Sequence, residues 1–258
     1  MREAVIVSAA RTPIGKAYRG AFNNLESPSM ASVAVKAAVD RSGIDPKEVD
    51  DCIMGAAIQQ GTQGFNLGRQ VAMASGLPVS VAGMTIDRQC SSGLMTIATG
   101  AKHIINDNAP ITIAGGCESI SLVQNEHMNS HRIGDPLTIK NAPMIHMPML
   151  DTAETVAKRY NISREAQDEY AVASQERTAD AQVRGAFDDE IVPVTAIKMI
   201  MNKETGEVTK EEVTLTKDEG NRPGTTIENL ANLKPVRNDG TITCLLYTSD
   251  AADEQWSV

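Results

Sequence analysis

Short apolar runs alternate with amphipathic segments along the first 117 residues of the chain. The apolar run at residues 4–9 is typical of a strand that is buried on both faces, and the run at 51–58 predicts a second strand of that kind. Between them, apolar residues recur at helical spacing over 29–42 and stop at Gly43, which predicts a helix. Strands and helices that alternate in this way predict an α/β fold with a mostly parallel sheet and right-handed crossovers.

The alternation continues through two further helices and two further strands. Asn66 is a suitable N-cap for a helix that runs to Ser75. Alternating residues at 84–87 predict a strand, and residues 111–119 predict another that ends in a glycine turn. The helix between these strands, at about 91–106, is apolar on nearly all sides, so we expect it to be buried inside the domain with the sheet covering it.

Residues 121–149 break this regular pattern, since they contain three histidines, several methionines and prolines, and no sustained period. Helical spacing and turn residues predict further helices and one hairpin beyond this segment. In chain order these are a helix at 152–160, a longer helix that Ser163 caps and that ends near 184, a hairpin of 191–201 with 211–215, and a short helix at 226–233.

The composition excludes several classes of function. The chain has 258 residues and a formal net charge of −9, which argues against a surface for nucleic acid or for an anionic membrane. No apolar run reaches the roughly 18 residues of a membrane span, and the first residues lack the features of a signal peptide. The four cysteines and four histidines have no metal-ligand spacing, so we predict no metal site and a reducing, cytoplasmic setting.

Cys90 is the candidate nucleophile. It follows a predicted strand and opens a predicted helix, so the first turn of that helix would carry its thiol. A helix N-terminus has unpaired N–H donors and a partial positive charge, and both favour a thiolate. The small residues Ser91, Ser92 and Gly93 would let a substrate carbonyl approach the sulfur. A buried structural cysteine is the alternative that this local pattern leaves open.

Three stretches carry a resemblance to a known family. Residues 89–94 (QCSSGL) closely resemble the nucleophile segment of the thiolases, which make or cleave 3-oxoacyl-CoA by way of an acyl-cysteine. Residues 11–16 (RTPIGK) resemble the stretch that follows the first thiolase strand, and residues 115–119 (GGCES) match a third family motif. The resemblance implies an acyltransferase, either acetyl-CoA C-acyltransferase or acetyl-CoA C-acetyltransferase, with Cys90 as the catalytic residue.

The resemblance also implies a division into domains. Residues 1–119 would form a thiolase N-terminal α/β core of βαβαβ layers, and residues 120–240 would form an inserted, mainly helical loop domain that covers CoA. Within that loop domain, Met149 matches the methionine beside the pantetheine of CoA, and Arg222 matches the arginine beside its adenine end. CoA and acyl-CoA would be substrates, with no tightly bound cofactor, and the complete enzyme would form homodimers or homotetramers.

The family pattern stops after Thr243. Residues 244–258 match nothing in the family, and we interpret them as an artefact of foreign sequence. Thiolase turnover needs a histidine and a second cysteine from a C-terminal half, which move protons during the reaction. The chain would have the nucleophile and one oxyanion donor, the Cys90 amide, but no base, so we expect it to be inactive alone.

Two other functions remain open at this stage. One is a ketoacyl synthase-like condensing enzyme of related fold, although such synthases lack the long insertion at 121–237. The other is a non-catalytic module that binds CoA or assembles subunits. The intact segment at 89–93 argues against the second for a complete protein, although it does not decide the matter for this chain.

Overall fold

The computed structural model describes residues 2–202 and 204–244. Contacts within the chain divide the described residues into two compact units. The first unit contains residues 2–128 and the described part of 187–219, and the second contains residues 129–186 and 220–244. The boundaries predicted from the sequence, at 119 and 240, describe functional domains and stay a prediction. The tail at 245–258 lies outside the described residues.

The described elements follow the predicted order, with ends that differ by a few residues. The first unit contains α1 (Ser27–Ser42), β1 (Val49–Gly55), α2 (Leu67–Ala74), β2 (Ala82–Ile86), α3 (Ser92–Asn106), β3 (Ile111–Gly116), α4 (Ile120–Val123), β4 (Val194–Met201) and β5 (Val208–Leu215). The second unit contains α5 (Pro136–Asn141), α6 (Met149–Tyr160), α7 (Arg164–Val183) and α8 (Ile227–Ala231).

A parallel sheet in the order β2-β1-β3 forms the centre of the first unit. Gly55 at the end of β1 pairs with Ile86 on one side and with Gly116 on the other, so the carboxyl ends of all three strands lie together. The core of the unit is apolar, and Ile53 and Leu67 are fully buried in it. The α/β fold class with a mostly parallel sheet is therefore confirmed.

The prediction of a strand at residues 4–9 is wrong. No strand is formed there, and Val5, Ile6 and Val7 are 71%, 78% and 67% exposed. An isolated strand is not stable without a hydrogen-bonded neighbour, and none of the described residues pairs with this segment. A cavity of about 560 Å³ has walls from both this segment and β3.

The prediction that the helix after Cys90 is wholly buried is also wrong. α3 buries one face, whose residues Ser92, Gly93, Thr96 and Gly100 are small, while Leu94 is 69% exposed. Small residues let the helix axis approach the sheet closely, and the Thr96 hydroxyl donates to the Gly115 carbonyl at 3.0 Å. Hydrophobic composition alone did not reveal which face of α3 meets the sheet.

An arginine ties the segment after the exposed run to distant parts of the first unit. The Arg11 guanidinium donates to both carboxylate oxygens of Asp218, at 2.8 and 3.0 Å, and to Glu190 at 2.6 Å. It also lies over the Phe187 ring, 5.5 Å from the centroid. The first residue of the RTPIGK stretch is therefore a structural anchor that fixes residues about 180–210 positions away in sequence.

The second unit is held by helix caps and a carboxylate. Ser163 caps α7 as predicted, because its side chain accepts from the Ala166 amide. The Glu154 carboxylate accepts from the amides of Thr241 and Ile242 at 3.0 and 2.8 Å, which fixes this stretch against α6. Within the stretches that the structure describes, no helix has the length and hydropathy to span a membrane.

Candidate active site

Cys90 lies in the turn between β2 and α3, at the carboxyl end of the parallel sheet, and it is exposed. Ser91 is the N-cap and α3 begins at Ser92, so Cys90 precedes the helix rather than lying in its first turn as predicted. The helix thus begins one residue later than predicted, and Cys90 lies two residues before its first residue.

The turn that carries Cys90 is built from hydrogen bonds within six residues. Gln89 has a left-handed backbone with φ of 50°, which is uncommon for a residue other than glycine. The Gln89 amide donates to the Asp87 carboxylate at 2.7 Å, and its carbonyl accepts from the Ser92 amide and from the Ser92 hydroxyl. The side chains of Asp87 and Ser92 therefore hold the backbone in the conformation that presents Cys90.

A glycine at the end of β1 allows the turn to come this close to the sheet. A Cβ atom at Gly55 would lie 2.6 Å from the Ser92 carbonyl carbon and 2.7 Å from the Gly93 amide nitrogen, closer than non-bonded atoms approach. The turn borders an open surface cavity of about 560 Å³. Its lining residues are Arg88, Gln89, Cys90, Ser91 and Leu94.

Two other cysteines differ from Cys90 in their surroundings. Cys52 on β1 is fully buried, and burial raises the pKa of its thiol to about 12. Cys117 is 3% exposed, and its thiol donates to the Ser27 carbonyl at 3.6 Å. Cys52 and Cys117 are therefore buried structural cysteines, which is the alternative that the sequence left for Cys90. Cys90 itself is accessible to a reactant.

Met149 and Arg222, the two residues predicted to bind CoA, both belong to the second unit and are both exposed. Met149 is the first residue of α6 and is 62% exposed. Arg222 lies in the segment before α8, where its amide donates to the Gln175 side chain at 2.7 Å. Gln175 also accepts from the Asn221 amide group at 3.1 Å, so this turn is fixed by α7 while the Arg222 side chain faces solvent.

Sequence reasoning missed a buried polar cluster near the carboxyl edge of the sheet. Glu118, from the GGCES stretch, accepts from the Ala57 amide at 2.8 Å and from the Gln63 side chain. Gln63 is itself fully buried and accepts from the Ser119 amide. The cluster joins the loop after β1 to the turn after β3. The GGCES motif contains Glu118, but its hydrogen-bond partner Gln63 is 55 positions away in sequence, so the motif alone did not predict the cluster.

His103 is not near the candidate nucleophile, as expected from its position on α3. Its ring lies 4.0 Å from the Asp51 carboxylate, at the amino end of β1. Burial raises the pKa of Asp51, and the hydrogen bond from the Cys52 amide and the charge of His103 partly oppose this effect. Among the described residues, no group of three or more His, Cys, Asp or Glu side chains is arranged to hold a metal ion.

Comparison with known proteins identifies the family of this chain. A family model described as the thiolase N-terminal domain matches residues 4–249. The chain belongs to the thiolase family. This match includes the first residues of the tail that we set apart at 244–258, and the interpretation of that tail as foreign sequence stays a prediction.

The relatives that this thiolase chain matches are longer than it is. The 3-ketoacyl-CoA thiolase of Bacillus subtilis is 40% identical over 256 residues, which cover 98% of this chain and 64% of the relative. The acetyl-CoA acetyltransferase of Cupriavidus necator is 38% identical, with 94% and 62% covered. The crystal structure of the Bacillus anthracis acetyl-CoA acetyltransferase superposes with a TM-score of 0.79 at 37% identity, covering 94% of this chain and 61% of that one. The chain therefore spans less than two thirds of these relatives.

Proposed function

We propose that this chain contributes the nucleophile and part of the CoA site to a thiolase that transfers acyl groups between 3-oxoacyl-CoA and CoA. The observation that carries the proposal is the exposed Cys90 in a tightly held turn at the start of α3, beside a cavity. Its support is chemical: the thiolate is the reactive form of cysteine, and a helix N-terminus favours that form.

The reaction divides into two acyl transfers. The Cys90 thiolate attacks the 3-oxo carbonyl carbon of 3-oxoacyl-CoA, and the bond between C2 and C3 breaks. The electron pair of that bond leaves on C2, which takes up a proton, and acetyl-CoA departs. A second CoA thiol then attacks the acyl-Cys90 thioester, releases acyl-CoA and returns the thiolate. The same steps in reverse are a Claisen condensation of two acyl-CoA molecules.

In this proposal Met149 and Arg222 bind CoA, which is a substrate rather than a tightly bound cofactor. An exposed methionine offers a flexible, polarizable surface for an apolar chain. A solvent-facing guanidinium suits the phosphates or the adenine ring of CoA, because it binds oxyanions in a fork and stacks on aromatic faces. Since the chain carries a net charge of −9, a site for the CoA polyanion needs such a local cation.

We further propose that the chain does not turn over alone. In the part of the chain that the structure describes, the residues that line the cavity at Cys90 include no histidine or carboxylate that could take a proton from the thiol or give one to the leaving carbanion. The longer relatives have more than a third of their length beyond the matched part. The complete enzyme would supply these groups from that part.

Homodimers or homotetramers of the complete enzyme and a cytoplasmic setting are part of the same proposal. Residues of the segment before α6 support self-association, because Ile133, Leu137 and Met144 are at least 60% exposed and a protein–protein contact would bury them. The four cysteines form no disulfide, which is compatible with a reducing compartment.

A labelling experiment tests the nucleophile. The chain is incubated with an acyl-CoA, and peptide mass spectrometry locates any acyl group. We expect slow acylation of Cys90 without release of further product, loss of the label in Cys90→Ala, and retention of the label in Cys244→Ala, the matched exposed cysteine. Acylation of Cys244 to the same extent, or no acylation at all, would contradict the proposal.

A binding experiment tests the CoA site. Calorimetry with CoA is expected to show roughly tenfold weaker binding for Arg222→Ala, since a charge-assisted contact contributes about 1.5–3 kcal/mol before screening. Arg159→Ala, an exposed arginine on α6 of the same unit, is the matched control and should bind CoA like the parent. Equal losses in both variants would indicate only general electrostatic attraction.

A non-catalytic CoA-binding or assembly module predicts a different result. Such a module would bind CoA through Arg222 without acylating Cys90. The ketoacyl synthase-like alternative has no support from the comparison, because the thiolase N-terminal domain model matches residues 4–249. The two experiments together therefore separate the proposed function from the non-catalytic module.

A further inference from the structure

The turn at Cys90 contains a strained backbone, and one buried hydroxyl helps to hold it. Gln89 adopts the left-handed conformation, with φ of 50°. Residues other than glycine keep such a conformation only where the surrounding structure determines it, and such strain concentrates at functional sites. The group that holds Gln89 therefore also determines where the chain presents Cys90.

Ser92 is that group. It is 4% exposed. Its hydroxyl donates to the Gln89 carbonyl at 2.6 Å and accepts from the Arg88 amide at 2.9 Å. One oxygen atom is therefore bonded to the backbone both before and after the Cα atom of the strained residue. The neighbouring Ser91 hydroxyl is exposed and makes a single bond, to the Arg88 carbonyl at 3.0 Å.

The position of Ser92 couples the turn to the sheet. The close approach of Gly55 to the Ser92 backbone fixes the first residue of α3 against the end of β1. The backbone of Ser92 thus packs against the sheet, and its hydroxyl bonds to Gln89 and Arg88. These contacts fix Gln89, the residue before Cys90, relative to the start of α3.

From these contacts we infer that Ser92 is a positioning residue that keeps Cys90 at the N-terminus of α3 by stabilising the left-handed Gln89. The inference rests on the proposed function, in which Cys90 is the nucleophile. Without the Ser92 hydroxyl, the Arg88 amide loses its acceptor and Gln89 loses one of the bonds that hold its positive φ. The backbone of Cys90 is then free to move relative to the start of α3.

The test measures alkylation of Cys90 by iodoacetamide at pH 7, with peptide mass spectrometry to assign each cysteine. For Ser92→Ala we expect the rate to fall about five- to tenfold, because the turn no longer holds Cys90 in one conformation beside the start of α3. Ser91→Ala is the matched control and should stay within about twofold of the parent, because only its exposed bond is lost. Equal rates for the parent and Ser92→Ala would overturn the inference.

A double variant separates positioning from a general loss of packing. Glycine adopts a positive φ without strain, so in the background of Gln89→Gly the further change Ser92→Ala should alter the Cys90 rate by less than about twofold. An undiminished effect of Ser92→Ala in that background would show that Ser92 does not act through Gln89, and would overturn the inference. Cys52 and Cys117, which are buried, report folding in every variant, because they stay unlabelled while the fold is intact.

This design keeps the two proposals apart. The ratio of the Cys90 alkylation rates in Ser92→Ala and in the parent tests the positioning role. Acylation of the parent by acyl-CoA tests Cys90 as a nucleophile. If acyl-CoA leaves the parent unmodified but Ser92→Ala still lowers the alkylation rate, the proposed function fails and the positioning role stands.

Discussion

The turn at residues 87–92 and the apolar segment at residues 4–9 belong to the same unit, but only the first forms the kind of element, a tight turn, that its sequence predicts. The turn is closed by hydrogen bonds among residues no more than four positions apart. A strand at residues 4–9 would need a partner from elsewhere, and Val5, Ile6 and Val7 are exposed instead. Local bonding thus forms from the nearby sequence alone, whereas a strand depends on a neighbour that the sequence of the strand does not specify.

The largest effect that sharpens this comparison should come from Arg11, which follows the exposed segment and contacts residues far away in sequence. Arg11→Ala removes the forked pair with Asp218, whose side chain is 13% exposed, and leaves that carboxylate partly buried with less compensation. We expect a loss of about 2–4 kcal/mol in the free energy of unfolding, measured by urea denaturation. Arg184→Ala breaks the exposed pair with Asp180 and should cost less than about 0.5 kcal/mol. Similar costs for the two variants would show that Arg11 does not anchor the segment.

An intermediate effect should come from the pH dependence that the buried Cys52 creates. Burial raises the pKa of its thiol from the ordinary value of 9.0 to about 12 in the folded chain, so the unfolded chain releases this proton first and stability falls as pH rises above 9. The Cys52 contribution should amount to about 1 kcal/mol between pH 9 and pH 10. Urea denaturation at both pH values should show a smaller decrease for Cys52→Ala than for the parent, and an unchanged decrease for Cys244→Ala. A parallel decrease in all three chains would contradict the burial of this thiol.

The smallest effect should come from the exposed segment itself. Ile6 is 78% exposed, so Ile6→Ala should change the free energy of unfolding by less than about 0.5 kcal/mol. Ile53 on β1 is fully buried, and Ile53→Ala should cost about 2–5 kcal/mol. If Ile6→Ala proved as costly as Ile53→Ala, residues 4–9 would form a buried strand in solution, as the sequence predicted.

Most of the fold followed from signals that are local in sequence. Asn66 and Ser163 were predicted as N-caps and act as such, and Gly43 ends α1 in a left-handed conformation as expected. The exposed face of α3 was not predictable, because a helix that is apolar on nearly all sides has no polar face to indicate which side contacts the sheet. The pairing of strands was not predictable either, since a strand-like run such as residues 4–9 carries no information about which strand would lie beside it.

The candidate site divides in the same way. Cys90 was predicted as the nucleophile from its segment alone; it lies in an exposed turn, and its role stays a prediction. The contribution of Ser92 was not recognised, because small residues after a nucleophile were interpreted as giving access rather than as holding the turn. The cluster of Glu118 and Gln63 joins residues far apart in sequence. Only the folded chain reveals that they meet.

The most direct test of the central claim compares two cysteines of this one chain. Cys90 and Cys244 are both exposed, so exposure alone predicts similar rates of alkylation by iodoacetamide at pH 7. If the turn and the start of α3 prepare Cys90 as a nucleophile, Cys90 should react about tenfold faster. Equal rates would contradict the account of Cys90 as a nucleophile prepared by its local structure.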